Sequence, residues 1–194
     1  LSLPNFPNDN VPIGSNESSN LVIKTHGVIP KLGFTPRHHW DIGHQLGIID
    51  LEQGTKIAGS KFFVLKGKGA KLQRALISWM LEIHTSQNNY IEIIPPYLVK
   101  PESLVGSGNL PKFGDNIYND KEDNLWLIPT AEVPLTNLHR DDIISGKDLP
   151  KFYVAHTPCF RREKASAGKE TRGIKRVHQF DKVEIIQIQH PLES

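Results

Sequence analysis

One stretch limits the possible folds more than any other. Residues 151–189 read KFYVAHTPCFRREKASAGKETRGIKRVHQFDKVEIIQIQ, two strand-like runs around a polar, basic loop. The first run, 152–160, is rich in aromatic and β-branched residues, which suit a pleated, half-buried surface. The second, 177–189, alternates, so His178, Phe180, Glu184, Ile186 and Ile188 share one face of a strand. Between the runs, Gly168 and Gly173 accompany Arg161, Arg162, Lys164, Lys169, Arg172, Lys175 and Arg176. The pattern predicts a long antiparallel hairpin whose loop is suited to phosphate.

The residue types suggest how a ligand would be held. Arg161 and Arg162 leave the first strand together, and a guanidinium is a planar fork matched to phosphate and carboxylate oxygens. Glu163 follows as an acceptor for an amino group such as the exocyclic amine of adenine. Phe180 offers a flat apolar face for a base. Glu184 lies on the same side of its strand, roughly 13 Å further along at about 3.3 Å per residue. A nucleotide at one end and a small cationic group at the other would fit that spacing. Taken by spacing alone, the same residues equally describe an exposed hairpin with solvated charges and a core phenylalanine.

Composition narrows the class. A chain of 194 residues with 38% hydrophobic and 23% charged residues suits one globular domain, or one with an extra segment. A formal net charge of +2 is too small to argue for nucleic acid, so the local cluster of Lys and Arg carries that weight. Cys159 is the single cysteine, which excludes an internal disulfide and a cysteine zinc cluster. Inside a strand-like run it reads as a small buried hydrophobe. No apolar run has the length of a membrane span, and LSLPNFPNDN lacks the pattern of a secretory leader. Because the chain starts at Leu1 rather than methionine, it is expected to be processed or cut from something longer.

In chain order, residues 1–20 read as a linker rich in Pro, Asn and Ser, and 21–26 as a short strand. His38 and His39 precede a helix expected over 41–49. Adjacent histidines point in different directions and no third ligand is spaced to join them, so no metal is expected there. A β-rich run at 61–65 ends in Lys66-Gly67-Lys68-Gly69, which lacks P-loop spacing and reads as a turn. From 70 to 85, Leu72, Leu76, Trp79, Met80 and Ile83 recur at the helical period and predict an amphipathic helix packed on a sheet. A strand over 90–94 is stopped by Pro95-Pro96, and 101–115 reads as a glycine-bearing loop. After a strand at 125–128, Thr130, Ala131 and Glu132 open a helix expected to run on through 144, with Gly146 ending it. Glu132 there also complements the helix dipole.

TPCFRRE, AGKETRG and HQFDKVE resemble the second conserved motif of class II aminoacyl-tRNA synthetases, close to the seryl-tRNA synthetases of bacterial type. The likeness extends along nearly the whole chain: LPN with VP and G near the start, the helix, strand and proline at 70–96, GSGNLPKF, and TAEVPLTN. The resemblance implies an α+β fold, an antiparallel sheet flanked by helices. Residues 1–20 would be the linker from an N-terminal tRNA-binding arm, and 21–194 the first part of a catalytic domain with motif 1 about 70–96 and motif 2 about 151–189. It implies ATP-dependent activation of L-serine to seryl-adenylate and transfer to tRNA(Ser), in the cytoplasm, by a homodimer. By carry-over, Arg161 would be catalytic, spanning the α-phosphate and the serine carboxylate. Thr130, Ala131, Glu132, Arg161 and Glu184 would bind serine, and Arg161, Arg162, Glu163, Arg176, Val177 and Phe180 would bind ATP. The third motif and the Mg2+ ligands are expected beyond Ser194, so 1–194 alone would have little activity. Two alternatives stay open: a ligase that loads an amino acid onto a carrier protein, and a non-catalytic RNA-binding or dimerisation fragment.

Overall fold

The alternation over 177–189 does form a strand. In the computed structural model, which describes residues 6–164 and 172–193, Lys151–Phe160 and Gln179–Ile188 pair antiparallel over their full lengths. The register runs from Lys151 opposite Ile188 to Phe160 opposite Gln179. It puts Tyr153, Ala155, Thr157 and Cys159 on the same face as Ile186, Glu184, Lys182 and Phe180. That face is the covered one: Ala155, Thr157 and Cys159 are fully buried.

The chain divides into two units, Leu1–Arg37 and His38–Ser194. Among its described residues the first carries a single 3₁₀ turn, Glu17–Ser19, started by the Asn16 side chain accepting from the Ser18 amide. The strand expected at 21–26 is not present; Leu21, Val22 and Ile23 are exposed. A strand requires a neighbour to take its backbone hydrogen bonds, and no described residue of this unit forms one.

In the second unit the elements follow as α1 (His39–Gln45), β1 (Ile49–Asp50), α2 (Leu51–Ala58), β2 (Val64–Leu65), α3 (Lys68–Gln87) and β3 (Ile91–Glu92). Then come β4 (Leu98–Val99), α4 (Pro101–Gly106), β5 (Asn119–Asp120), β6 (Leu125–Leu127), α5 (Glu132–Thr136) and the long strands β7 (Lys151–Phe160) and β8 (Gln179–Ile188). Among the described residues three sheets result: β1–β2, β4–β6–β5 and β3–β7–β8. All pairings are antiparallel except β3 on β7, which is parallel. The mixed α+β architecture is the expected one.

Several local expectations are corrected. Helix α1 begins two residues early, at His39. α2 forms across a stretch for which no element was expected, with Asp50 accepting from the Gln53 amide at 2.9 Å as its N-cap. Pro101, at the first helical position, starts α4 inside the expected loop. The helix expected to run to 144 ends at Thr136. Asn137 folds its side-chain amide back onto the Val133 carbonyl at 2.8 Å, a short 3₁₀ turn follows, and Asp141 is left-handed at φ 67°.

The long helix α3 is present, but its sheet-facing stripe is not the one expected. Of the expected residues Ile83 is half-buried but Leu72, Leu76, Trp79 and Met80 are exposed, while Gly69 is buried and Gln73, Ile77 and Leu81 are half-buried. The stripe turns because Gly69 lets the helix start pass close to the Ile48 carbonyl, which an added Cβ would meet at 2.7 Å. Gln73 then donates to Asp181 on β8 at 2.6 Å.

Two buried clusters hold the unit. Val99, Leu104, Ile117, Ile128 and Val133 form one, between β4, α4 and the start of α5. Ala131, Leu135, Tyr153 and Ala155 form the other, between α5 and β7, with Ile93, Ile186 and Ile188 against it. Thus α5 lies over the covered face of the hairpin and carries the 130–132 segment to it.

Candidate functional site

Short segments bring the candidate residues to the covered hairpin face. The Phe160 amide donates to the Ile128 carbonyl at 3.0 Å, fixing 128–130 beside the end of β7. The Arg161 amide donates to the His178 carbonyl at 2.9 Å, and His178 Nδ1 donates back to the Arg161 carbonyl at 2.9 Å. This double bond extends the hairpin one step past β7. Arg161 Nε then donates to the Pro129 carbonyl at 3.1 Å, and its guanidinium lies over the Phe180 ring, 5.1 Å from the centroid.

The next group along this face is Thr130. Its residue is buried, and its hydroxyl donates to Glu184 Oε2 at 2.7 Å. The Glu132 amide reaches the same hydroxyl at 3.3 Å. Two contacting pairs, the Arg161 guanidinium on the Phe180 ring and the Thr130 hydroxyl on the Glu184 carboxylate, are thus joined through the Pro129–Thr130 backbone.

The other candidates separate into groups. Glu163 stands where the chain leaves β7, left-handed at φ 45°, with Lys61 Nζ donating to its carbonyl at 3.1 Å. Its half-enclosed carboxylate faces Arg176 Nη1 at 3.6 Å. Val177 is buried and, with Phe180, lines an apolar cavity of about 390 Å³ between the hairpin, α3 and the β1–β2 pair. Ala131 is fully buried in the core cluster under α5, so its side chain is packing. Glu132 is exposed on the first turn of α5. Arg162 parts from Arg161: its amide donates to the Asn116 carbonyl at 2.8 Å, its Nε to the Ile117 carbonyl at 3.3 Å, and it stacks on Tyr118 at 4.3 Å. That side chain ties the hairpin to the 114–118 segment, apart from the Arg161 guanidinium. Gly168 and Lys169 lie outside the described residues.

Three residues of the site escape a reading by motif. Lys182 has the same parity as Phe180 and Glu184, and that alternation was its only signal. Its Nζ donates to Thr130 Oγ1 at 2.9 Å and is paired with Glu184 Oε2. His39 Nε2 accepts from the Ile174 amide at 2.9 Å, which makes it the unprotonated nitrogen of its ring. It thereby clasps the returning end of the hairpin loop, where Gly173 sits at φ +74° with no room for a Cβ against the His39 ring. Lys61 supports Glu163 as described. Neither Lys61 nor His39 has a periodicity that links it to the hairpin.

Cys159, opposite Phe180, is fully buried; burial pushes its thiol above the ordinary range, against smaller opposing effects of Thr157, Lys182 and Arg161. Among the described residues, no group of three or more His, Cys, Asp or Glu is placed to hold a metal, and no helix is long and apolar enough to cross a membrane.

A profile of the tRNA synthetase class II core domain (G, H, P, S and T) matches residues 113–194. The serine–tRNA ligase of Dehalococcoides mccartyi is 56% identical over 194 residues, covering 100% of this chain and 47% of that protein. Among solved structures, seryl-tRNA synthetase from Pyrococcus horikoshii complexed with ATP superposes with a TM-score of 0.91 at 37% identity, over 99% of this chain and 47% of that one. Cytoplasmic serine–tRNA ligase from Naegleria fowleri in complex with AMP gives 0.86 at 28% identity, over 95% and 44%. The chain spans about half the length of the curated relatives it matches. Residues 113–194 thus match the class II tRNA synthetase core, and the chain is similar from end to end to proteins of one kind, the serine–tRNA ligases.

Proposed function

We propose that the hairpin face holds ATP and L-serine side by side for adenylate formation, as part of a full-length serine–tRNA ligase acting on tRNA(Ser). The observation that carries this reading is the joining of the Phe180–Arg161 pair to the Thr130–Glu184 pair through the Pro129 carbonyl. An ATP-bound relative of the same fold supports the nucleotide half. The serine carboxylate attacks the α-phosphorus, the bond to the β-phosphate oxygen breaks, and pyrophosphate leaves. The adenylate then passes its seryl group to the 3′ end of the tRNA.

Two anions must approach one another in that step, so the residue between them decides the rate. Arg161 has the charge and the place to neutralise both the α-phosphate and the attacking carboxylate. A base stacking on Phe180 competes with the guanidinium for the ring, and release of Arg161 turns its donors toward phosphate. Glu163 is assigned to the adenine amine, which it would take in exchange for Arg176, and Arg176 is then available to phosphate. Val177 supplies apolar wall. Thr130, Glu184 and Glu132 are assigned to the serine ammonium and hydroxyl, Ala131 contributing through its backbone. Positioning and charge do most of the work. Mg2+ would arrive with the nucleotide phosphates; no described cluster is assigned to it. The apolar side of α3 and β3 is assigned to a second copy of the chain, in a homodimer.

ATP–pyrophosphate exchange in the full chain tests the reading. Arg161→Ala is expected to lower exchange by about 10³-fold or more, in line with loss of a transition-state charge contact, while leaving the thermal midpoint near wild type. Exchange within a few-fold of wild type would remove Arg161 from the chemistry. Charging assays on tRNA(Ser) and on a carrier protein separate the ligase from its carrier-loading alternative.

A further inference from the structure

Thr130 has no hydrogen-bonding capacity left. A hydroxyl carries one hydrogen and two lone pairs. Here the hydrogen goes to Glu184 Oε2 at 2.7 Å, while Lys182 Nζ at 2.9 Å and the Glu132 amide at 3.3 Å take the lone pairs. Lys182 Nζ also pairs with the same Glu184 oxygen. Hydroxyl, carboxylate and primary ammonium thus close a three-membered ring in a partly enclosed place, the Lys182 and Glu184 side chains being 32% and 18% exposed.

An amino acid presents the same chemical group. Its ammonium, like the lysine's, has three donors and no acceptor, and seeks a hydroxyl and a carboxylate oxygen. On the assignment of Thr130 and Glu184 to the amino-acid pocket, the incoming ammonium finds its acceptors held by the chain itself. We propose that Lys182 is a built-in stand-in for the substrate ammonium, occupying its subsite in the free protein and giving it up when the amino acid binds.

The exchange has a physical rationale. A half-enclosed carboxylate left alone is costly, and the lysine spares Glu184 that state between turnovers. Glu132, two residues from Thr130 and exposed, offers the displaced Nζ a second carboxylate. The tethered lysine is a competitor at high local concentration, so it sets a threshold that only a ligand with its own ammonium passes. A hydroxy acid of the same shape lacks the group that would replace it.

The test is ATP–pyrophosphate exchange by the full chain at varied serine, for wild type, Lys182→Met, Lys182→Gln and Lys182→Arg. Removing the competitor is expected to lower the serine KM about two- to fivefold in Met and Gln variants, the range set by a partly exposed ion pair. The KM for ATP should stay close to wild type, and Lys182→Arg, which keeps the cation, should show no such fall in the serine KM. A serine KM that is unchanged or raised in both neutral variants overturns the proposal, since a lysine that merely positions Glu184 would weaken binding when lost. Glu184→Ala is run in parallel. If it raises the serine KM, the pocket assignment stands whatever the lysine variants do. If it leaves that KM unaltered, the pocket assignment fails and the Lys182 proposal falls with it.

Discussion

Cys159 shows what enclosure does to a single side chain. Its residue is fully buried beneath the hairpin, and burial raises the thiol above its ordinary value. A raised folded-state value means the folded chain keeps a proton that the unfolded chain releases. Stability contributed this way is intact below the unfolded thiol's range and declines as pH rises past about 9. Urea titrations from pH 7 to 10 are expected to show part of that decline missing in Cys159→Ala. In the folded wild type the thiol should react with an alkylating reagent only as fast as the chain opens. Asp50 illustrates the opposite sign. Its exposed carboxylate is held below the ordinary range, first by the Gln53 amide and then by Lys66 at 2.7 Å. That contribution is present above the usual carboxylate range and is lost as pH falls below it. Asp50→Ala should therefore lower the melting temperature at pH 7 and have little effect near pH 2.

The elements differ in how plainly their residues announce them. The β7–β8 hairpin was legible because thirteen residues of alternation have one structural solution. Phe180 and Glu184 could be placed on one face for that reason, and Lys182 obeys the same parity without matching an expected role. Helix α3 was legible as a helix, yet its inward stripe depends on Gly69, a contact with Ile48 that no periodicity encodes. α2 was hidden by Gly54, which looks like a breaker. It is there because the backbone of Phe62 and Phe63 crosses so closely that a Cβ would sit 2.5 Å from it. The end of α5 was missed because Asn137 closes it with a side chain, and the partners of Arg162, Ile117 and Tyr118, were not legible because they lie some forty-five residues away in sequence. Local chemistry was readable; long-range pairing was not.

At the scale of the whole unit, stability rests on two small clusters rather than one large core. Leu104 is fully buried in the first, against Val99, Ile117, Ile128 and Val133. Leu104→Ala should cost about 2–5 kcal/mol in chemical unfolding, the range for a large-to-small change at a site that cannot collapse. The loss should be felt at Thr130, because Ile128 and Val133 flank that residue and belong to the same cluster. The parallel pairing of β3 with β7 has a separate result. Ile91 finds Tyr153 only after roughly sixty residues have intervened, and closing so long a loop must precede any gain from the pairing. On a ribosome that adds residues one by one, β3 emerges well before the strand that will receive it. The adjoining Ile93, which packs against the second cluster once the chain is folded, then stays bare to solvent for the seconds needed to synthesise the rest, an interval in which a chaperone has something to hold.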